Sequence, residues 1–310
     1  VTGVGTDVLV VGESVVDVIE HPDGSRAAHP GGSPANVAFG LARLGIGTTF
    51  LTQLGRDADA ELIRGHLGAA GVALVDAGPD ATRTPRSTAR IGEDGSARYD
   101  FAISWDLGPA PAIPRATHVH TGSVAAFLAP GADTVGRVLA GVRATSTISL
   151  DPNIRPELLP DHGGALDRFE RLLPLTDVVK ASDEDLAWLY PGQDPTAVAR
   201  RILGAGVALV VITRGAHGAL AATAGATFVV APVPATVVDT VGAGDSFMAA
   251  LLDGLHRAAL LGPAARRRLR PAGASRLEPH LRRAARAAAI TVSRAGAHPP
   301  TAAELTDDPR

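Results

Sequence analysis

The stretch ALVVIT, residues 208–213, carries no polar side chain before its final threonine. A strand with one wet face alternates apolar and polar residues. A run apolar at successive positions is buried on both faces, as in a mostly parallel sheet covered by helices. The residues before it, AVARRILGAG (197–206), have helical spacing, and TRGAHG (213–218) follows as a turn. The same alternation of β-rich runs and alanine- and leucine-rich helical segments extends both ways. Towards the N-terminus it passes through DVVKAS (177–182), TISLDPN (147–153), ADTVGRVLAGVRA (132–144), THVHTGS (117–123), AELIRGHLGAAG (60–71), TTFLTQLG (48–55) and NVAFGLARLG (36–45) to DVLVVG (7–12). Towards the C-terminus it ends in a helix expected over LRRAARAAAITVSRAG (281–296). The fold class is α/β with helices on both sides of the sheet.

Two segments break this rhythm. RSTARIGEDGSARYDFAISW (86–105) reads as two short strands around Glu93-Asp94-Gly95, and SVVDVIEHPDGSRAAHPGG (14–32) as a strand, a Pro-Asp-Gly turn and a return. Such hairpins can pair with each other into a flap. The expected organisation is one domain over residues 1–310 with a β lid formed by about 13–30 and 86–105.

The bulk properties remove several classes of function. The formal net charge of −3 gives no general attraction to nucleic acid or anionic membranes. The arginine run ARRRLRPAGASR (265–276) has no interleaved aromatics and reads as a solvated connection. Without cysteine there are no disulfides, thiolate metal sites or cysteine nucleophiles. Lys180 is the only lysine, so no P-loop lysine exists elsewhere. No apolar run reaches the ~20 residues that span a bilayer, and no basic-then-apolar leader opens the sequence, so a cytoplasmic location is expected.

The chemistry concentrates in two glycine-rich stretches. In DTVGAGDSFMAALLDGL (239–255), Gly242 and Gly244 let backbone N–H groups turn towards one point, and a helix starting near Asp245 adds its positive end. Asp245 at such a cradle suits a base that takes a proton from a hydroxyl attacking a phosphoryl group. An ordinary helix cap is the competing reading, and the turn alone does not separate them. In HPGGSPANVAFGLARLG (29–45), Gly31 and Gly32 let a ligand approach the backbone, and Asn36 offers a donor and an acceptor.

Taken together, GGSPANVAFGLARLG near one end of the chain and DTVGAGDSFMAALLDGL near the other resemble the two signatures of the ribokinase-like, or PfkB, carbohydrate kinases. DPNIRPELL, VVKASDEDLAWLYPG and ITRGAHGAL extend the likeness across the middle. The resemblance implies a three-layer α/β/α domain with a β lid that uses ATP and Mg2+ to phosphorylate a sugar hydroxyl. It implies Asp245 as catalytic base, with Gly242, Ala243 and Gly244 as anion hole. Asp17, Gly32 and Asn36 match sugar-contacting positions. Thr213, Gly215 and Gly218 fall where the family meets the nucleotide phosphates. Asp239, with carbonyls around Ser293, Gly296 and Ala297, matches a monovalent-cation site that takes K+. A homodimer through the lid is likewise a family expectation.

One motif departs from the family. Its Asn-x-x-Glu, which organises magnesium and phosphates, is Ser182-Asp183-Glu184-Asp185 here, so Ser182 and Asp185 take the matching positions. Asp185 or Glu184 would reach the metal shell through water. Within the family, Ser33-Pro34 and DPNIRPELL resemble fructokinases and the neighbouring 2-keto-3-deoxygluconate kinases. Arg155 suits either substrate, through a sugar carboxylate or the transferring phosphoryl oxygens. An oxidoreductase is disfavoured because no Gly-x-Gly-x-x-Gly follows the first strand. A silent sugar or nucleotide sensor is disfavoured because Asp245 and its glycine turn are present.

Other residues invite plainer readings. His118 and His120 share one strand face without a third metal ligand nearby. Tyr99, Phe101 and Trp105 read as lid packing or lid-to-lid contacts. Lys180, at the end of a strand, reads as solvated though within reach of a phosphate.

Overall fold

The computed structural model describes residues 6–78, 83–92, 94, 96–108, 113–159 and 161–306. Among the described residues thirteen strands run in chain order: β1 (Val8–Val11), β2 (Val15–Glu20), β3 (Arg26–Gly31), β4 (Thr48–Thr52), β5 (Ala73–Asp76), β6 (Arg86–Ile91), β7 (Ala97–Ala102), β8 (His118–Gly122), β9 (Thr147–Asp151), β10 (Val178–Ser182), β11 (Leu209–Thr213), β12 (Ala219–Ala222) and β13 (Thr227–Val230). Nine form the main sheet in the order β13-β12-β11-β10-β9-β8-β1-β4-β5. All neighbours from β11 to β5 are parallel, and β12 and β13 add an antiparallel end. The opening stretch is β11 with its lead-in residue, and Leu209–Ile212 are fully buried.

One layer consists of α1 (Ser33–Arg43) and α2 (Ala58–Ala69), joined from the far end of the chain by the long helices described below. The opposite layer holds α3 (Ser123–Phe127), α4 (Gly131–Val142), α5 (His162–Leu172), α6 (Asp183–Leu189) and α7 (Pro195–Gly204). Short acidic side chains start several of them. Asp57, Asp161 and Asp194 accept from the amides of Ala60, Gly164 and Ala197, and Ser182 with Asp185 forms a reciprocal capping box on α6. The first layer is completed by α8 (Ala243–Arg257), α9 (Arg266–Leu269) and α10 (Ala274–Val292).

From β1 the chain builds outward through β4 and β5, then crosses back to β8 and proceeds through β9 and β10 to β11. The order reverses between β1 and β8. In such sheets the crevice beyond the carboxyl ends of the strands at that reversal is where ligands bind. The chain leaves β1 at Val11, β8 at Gly122, β9 at Asp151, β10 at Ser182 and β11 at Thr213, all at this one edge.

The two rhythm-breaking segments form a separate four-stranded sheet, β3-β2-β6-β7. β2 and β6, far apart in the chain, pair in parallel from Val16–Arg86 to Glu20–Arg90. Glu93 and Gly95 of the expected hairpin turn lie outside the described residues.

Four expectations need correction. Trp105 is not lid packing: it is 1% exposed in the core, its indole N–H donating to the Ala125 carbonyl. The last long helix begins at Ala274, ahead of Leu281, and the arginine run before it is not simply a solvated connection. Arg266 pairs with the buried Asp177, as does Arg143, because a carboxylate removed from water needs a cation. Lys180 is not solvated either. It lies inside β10, 4% exposed, bound to Asp151.

Candidate active site

Asp245 sits in the first turn of α8, behind the tight turn that precedes the helix. Gly242 makes that turn with φ 74°, and a Cβ there would lie 2.6 Å from the Ala297 methyl, so both conformation and space demand glycine. The amides of Gly242 to Gly244 are the start of α8, where backbone N–H groups lack helical partners and the helix dipole is positive.

The carboxylate of Asp245 is held from the far end of the chain. The Ser33 hydroxyl donates to Oδ1 at 2.6 Å and the Asn36 amide donates to Oδ2 at 2.8 Å. Both donors belong to the first turn of α1, so the amino ends of α1 and α8 converge on this carboxylate. Gly40 allows the approach: a Cβ on it would stand 2.9 Å from the Ala249 methyl. Asn36, expected at the sugar, also holds the candidate base. The role of Ser33 has no spacing signal, since its partner lies 212 positions away.

Beneath the turn lies a buried charged group. Lys180 Nζ donates to Asp151 Oδ2 at 2.8 Å. Burial works against the ammonium, but Asp151, Asp185 and Asp245 outweigh it and raise its pKa. Burial pushes Asp151 up to about 6, against the pull of Lys180. His118 and His120 line the same sheet face. His118 bonds Thr147 and Ser149, His120 bonds Ser149, and burial, with Lys180 beside it, pushes His120 down to about 3. Both are fully buried core histidines, His118 bonded at both ring nitrogens and His120 at Nδ1, with its Nε2 unpartnered among the described residues.

Asp185 does not face open solvent. Its Oδ1 accepts from the Ile154 amide at 2.7 Å and Oδ2 from the Ser182 amide at 2.8 Å. It thereby fixes the loop that presents Arg155, while Glu184 is exposed. Among the described residues no group of three or more His, Asp or Glu gathers to hold a metal. With both oxygens taken by amides, Asp185 fits a magnesium ion reached through water rather than bound directly.

Asp17 projects from β2 with His29 of β3 and Ser87 of β6 directly opposite. Partial desolvation raises its pKa, tempered by the Ser87 hydroxyl and the nearby His29 and Arg155. A Cβ on Gly31 would stand 2.2 Å from Asp17 Oδ2, so this glycine makes room for the carboxylate. Glu13, at the end of β1, is a buried acid not singled out from the sequence. It accepts from the Ala125 amide at 2.8 Å, and burial pushes it up to about 7.

Beside Asp245 opens a mainly apolar cleft of about 470 Å³, lined by Thr213, Gly215, Gly218, Val233, Gly244 and Ala288 among others. Thr213, Gly215 and Gly218, expected at the nucleotide phosphates, thus line one cleft with Ala243 and Gly244 of the expected anion hole, whereas Ser182 and Asp185 are not among its lining residues. At its rim Asp239 accepts from the amides of Val241 and Gly296, which hold it below the usual carboxylate range. The Ser293 hydroxyl turns back to donate to the Ile290 carbonyl.

A family model described as pfkB family carbohydrate kinase matches residues 5–303. A fructokinase of Rhizobium leguminosarum bv. trifolii is 34% identical over 270 residues, covering 82% of this chain and 81% of that protein. A fructokinase of Klebsiella pneumoniae is 33% identical over 257 residues, covering 80% and 84%. Among solved structures, a Vibrio cholerae fructokinase with fructose, ADP and calcium bound superposes with TM-score 0.78 at 25% identity, over 97% of this chain and 98% of that one. A match to the family over nearly the whole length, reinforced by these relatives, places the chain plainly: it belongs to the pfkB family of carbohydrate kinases.

Proposed function

We propose that the protein transfers the γ-phosphoryl group of ATP to the primary hydroxyl of a small sugar, with fructose as first acceptor. The observation that carries this reading is Asp245, oriented by Ser33 and Asn36 at the head of α8, beside an anion-hole turn and a ring-sized cleft. The sugar hydroxyl donates to Asp245, its oxygen attacks the γ-phosphorus, the proton passes to the carboxylate, and ADP leaves. The amides of Gly242, Ala243 and Gly244 meet the charge that develops on the phosphoryl oxygens. Thr213, Gly215 and Gly218 bound the nucleotide. A magnesium ion carried on the nucleotide would be held by Asp185 through water and would supply positive charge at the phosphates.

Asp17 and Arg155 select the acceptor, with Gly31 and Gly32 shaping the approach. A carboxylate in the sugar pocket suits hydroxyls and repels an acid, which favours fructose. Arg155 beside Asp17 keeps 2-keto-3-deoxygluconate as the second reading. ADP release with a panel of fructose, ribose and 2-keto-3-deoxygluconate tests the order through kcat/KM. A preference for the keto-acid reverses it, and no turnover with any acceptor favours a sensor.

The β2-β3-β6-β7 sheet acts as a lid that excludes water. Its edge strand β7 carries exposed Tyr99 and Phe101, stacked at 6.1 Å, which suit a lid-to-lid dimer. No helix among the described residues is long and apolar enough to cross a membrane. We assign an ATP-consuming enzyme of this kind to the cytoplasm.

A potassium ion would be held by Asp239 and the carbonyls around Ser293 and Gly296, where it would steady the loop behind the anion hole. Rates in potassium should therefore exceed those in a bulky organic cation at equal ionic strength. Equal rates in the two salts remove the ion.

A further inference from the structure

The chain's only lysine is one of the least exposed charges in the molecule, at 4%. It faces three carboxylates, Asp151, Asp185 and Asp245, and His120 stands beside it. Its Nζ lies 2.9 Å from the point a Cβ on Gly244 would occupy, so the ammonium rests directly against the anion-hole turn. Of its three N–H donors, one is matched, to Asp151 Oδ2. Asp151 Oδ1 is buried with no partner.

Stability does not account for this arrangement. A buried ion pair contributes little over a well-packed neutral pair of the same volume, and an under-satisfied one contributes less. Incompletely paired buried polar groups in a folded protein call for a reason beyond packing. Position supplies it. Strand periodicity puts Lys180 on the same face of β10 as Ser182, with its Nζ under Gly244 at the head of α8. Arginine, with its broad planar head, is a poor match for the space under Gly244; a compact ammonium fits.

We infer that Lys180 is a positioning residue of the phosphoryl-transfer centre: pinned by Asp151 beneath Gly244, its ammonium backs the Gly242–Gly244 turn with a fixed positive charge. That charge offsets the carboxylates of Asp185 and Asp245, which would otherwise repel a polyphosphate brought against them. It strengthens most as charge builds on the transferring group, so it acts on turnover more than on sugar binding. The inference rests on the kinase reading proposed above.

The test compares the full chain with Lys180→Met and with the double variant Lys180→Met/Asp151→Asn, which leaves no unpaired buried charge if the single change fails to fold. The readouts are kcat and KM for fructose, thermal melting, and affinity for ADP with aluminium fluoride in the presence of fructose. We expect kcat to fall about 10²-fold in both variants, with KM for fructose unchanged and affinity for the aluminium fluoride complex falling by a similar factor. A purely structural pair predicts recovery in the neutral double variant. A folded double variant with wild-type kcat therefore overturns the inference. A wild-type chain that phosphorylates no sugar overturns the kinase reading first, and this inference with it.

Discussion

Each oxygen of Asp245 takes one hydrogen bond, from Ser33 or Asn36, and keeps a lone pair for a substrate proton. Asp245→Asn should retain sugar and ATP binding while lowering kcat by roughly 10²- to 10⁴-fold. Near-normal turnover in the folded variant would leave Asp245 as a helix cap. Glu13 yields a different kind of prediction. Its folded-state pKa of about 7 exceeds the ordinary 4.5, so ionisation costs folding free energy. Stability is fullest below pH 4.5 and is lost as pH rises through 7, a change of order 3 kcal/mol by linkage. Glu13→Gln lacks that loss, so its melting temperature should gain on the wild type between pH 5 and pH 8. A constant difference across that range would contradict the burial cause. Glu13 escaped the sequence reading because an acid after a short strand has no signature until α3 closes over it. Lys180 was misjudged for the opposite reason: strand-end lysines are ordinarily wet, and nothing local announces Asp151 as its partner.

The elements themselves were more legible. Unbroken apolar runs give the parallel strands, and the hairpin interruptions give the second sheet, because both patterns are local. The pairing of β2 with β6 is long-range, and only the assembled chain fixes its register from Val16–Arg86 to Glu20–Arg90. Along the last helix, the start at Ala274 was hidden by arginines that look solvated but include Arg266, pinned to Asp177. Because β2 and β6 share a ladder, the two hairpins should move as one body. In hydrogen exchange, fructose should protect β2, β3, β6 and β7 together. Protection confined to β6 and β7 would break the idea of a common lid.

At the scale of the whole molecule, the parallel sheet gathers residues from five strand ends into one crevice, and α1 and α8 of the first helix layer are joined there by the contact between Ser33 and Asp245 across 212 positions. Closing so long a loop is slow relative to forming local turns and neighbouring strand–helix units. The cage around the candidate base therefore belongs to the final stage of refolding, after far-ultraviolet circular dichroism has already recovered. After dilution from denaturant, sugar phosphorylation should lag behind that signal, and Ser33→Ala should leave the early phase untouched. Simultaneous recovery of the two would place α1 and α8 together in the folding nucleus. The lag also bears on synthesis from the ribosome: Ser33 emerges 212 residues ahead of the candidate base Asp245, so phosphoryl transfer through that carboxylate has to wait until both have been made.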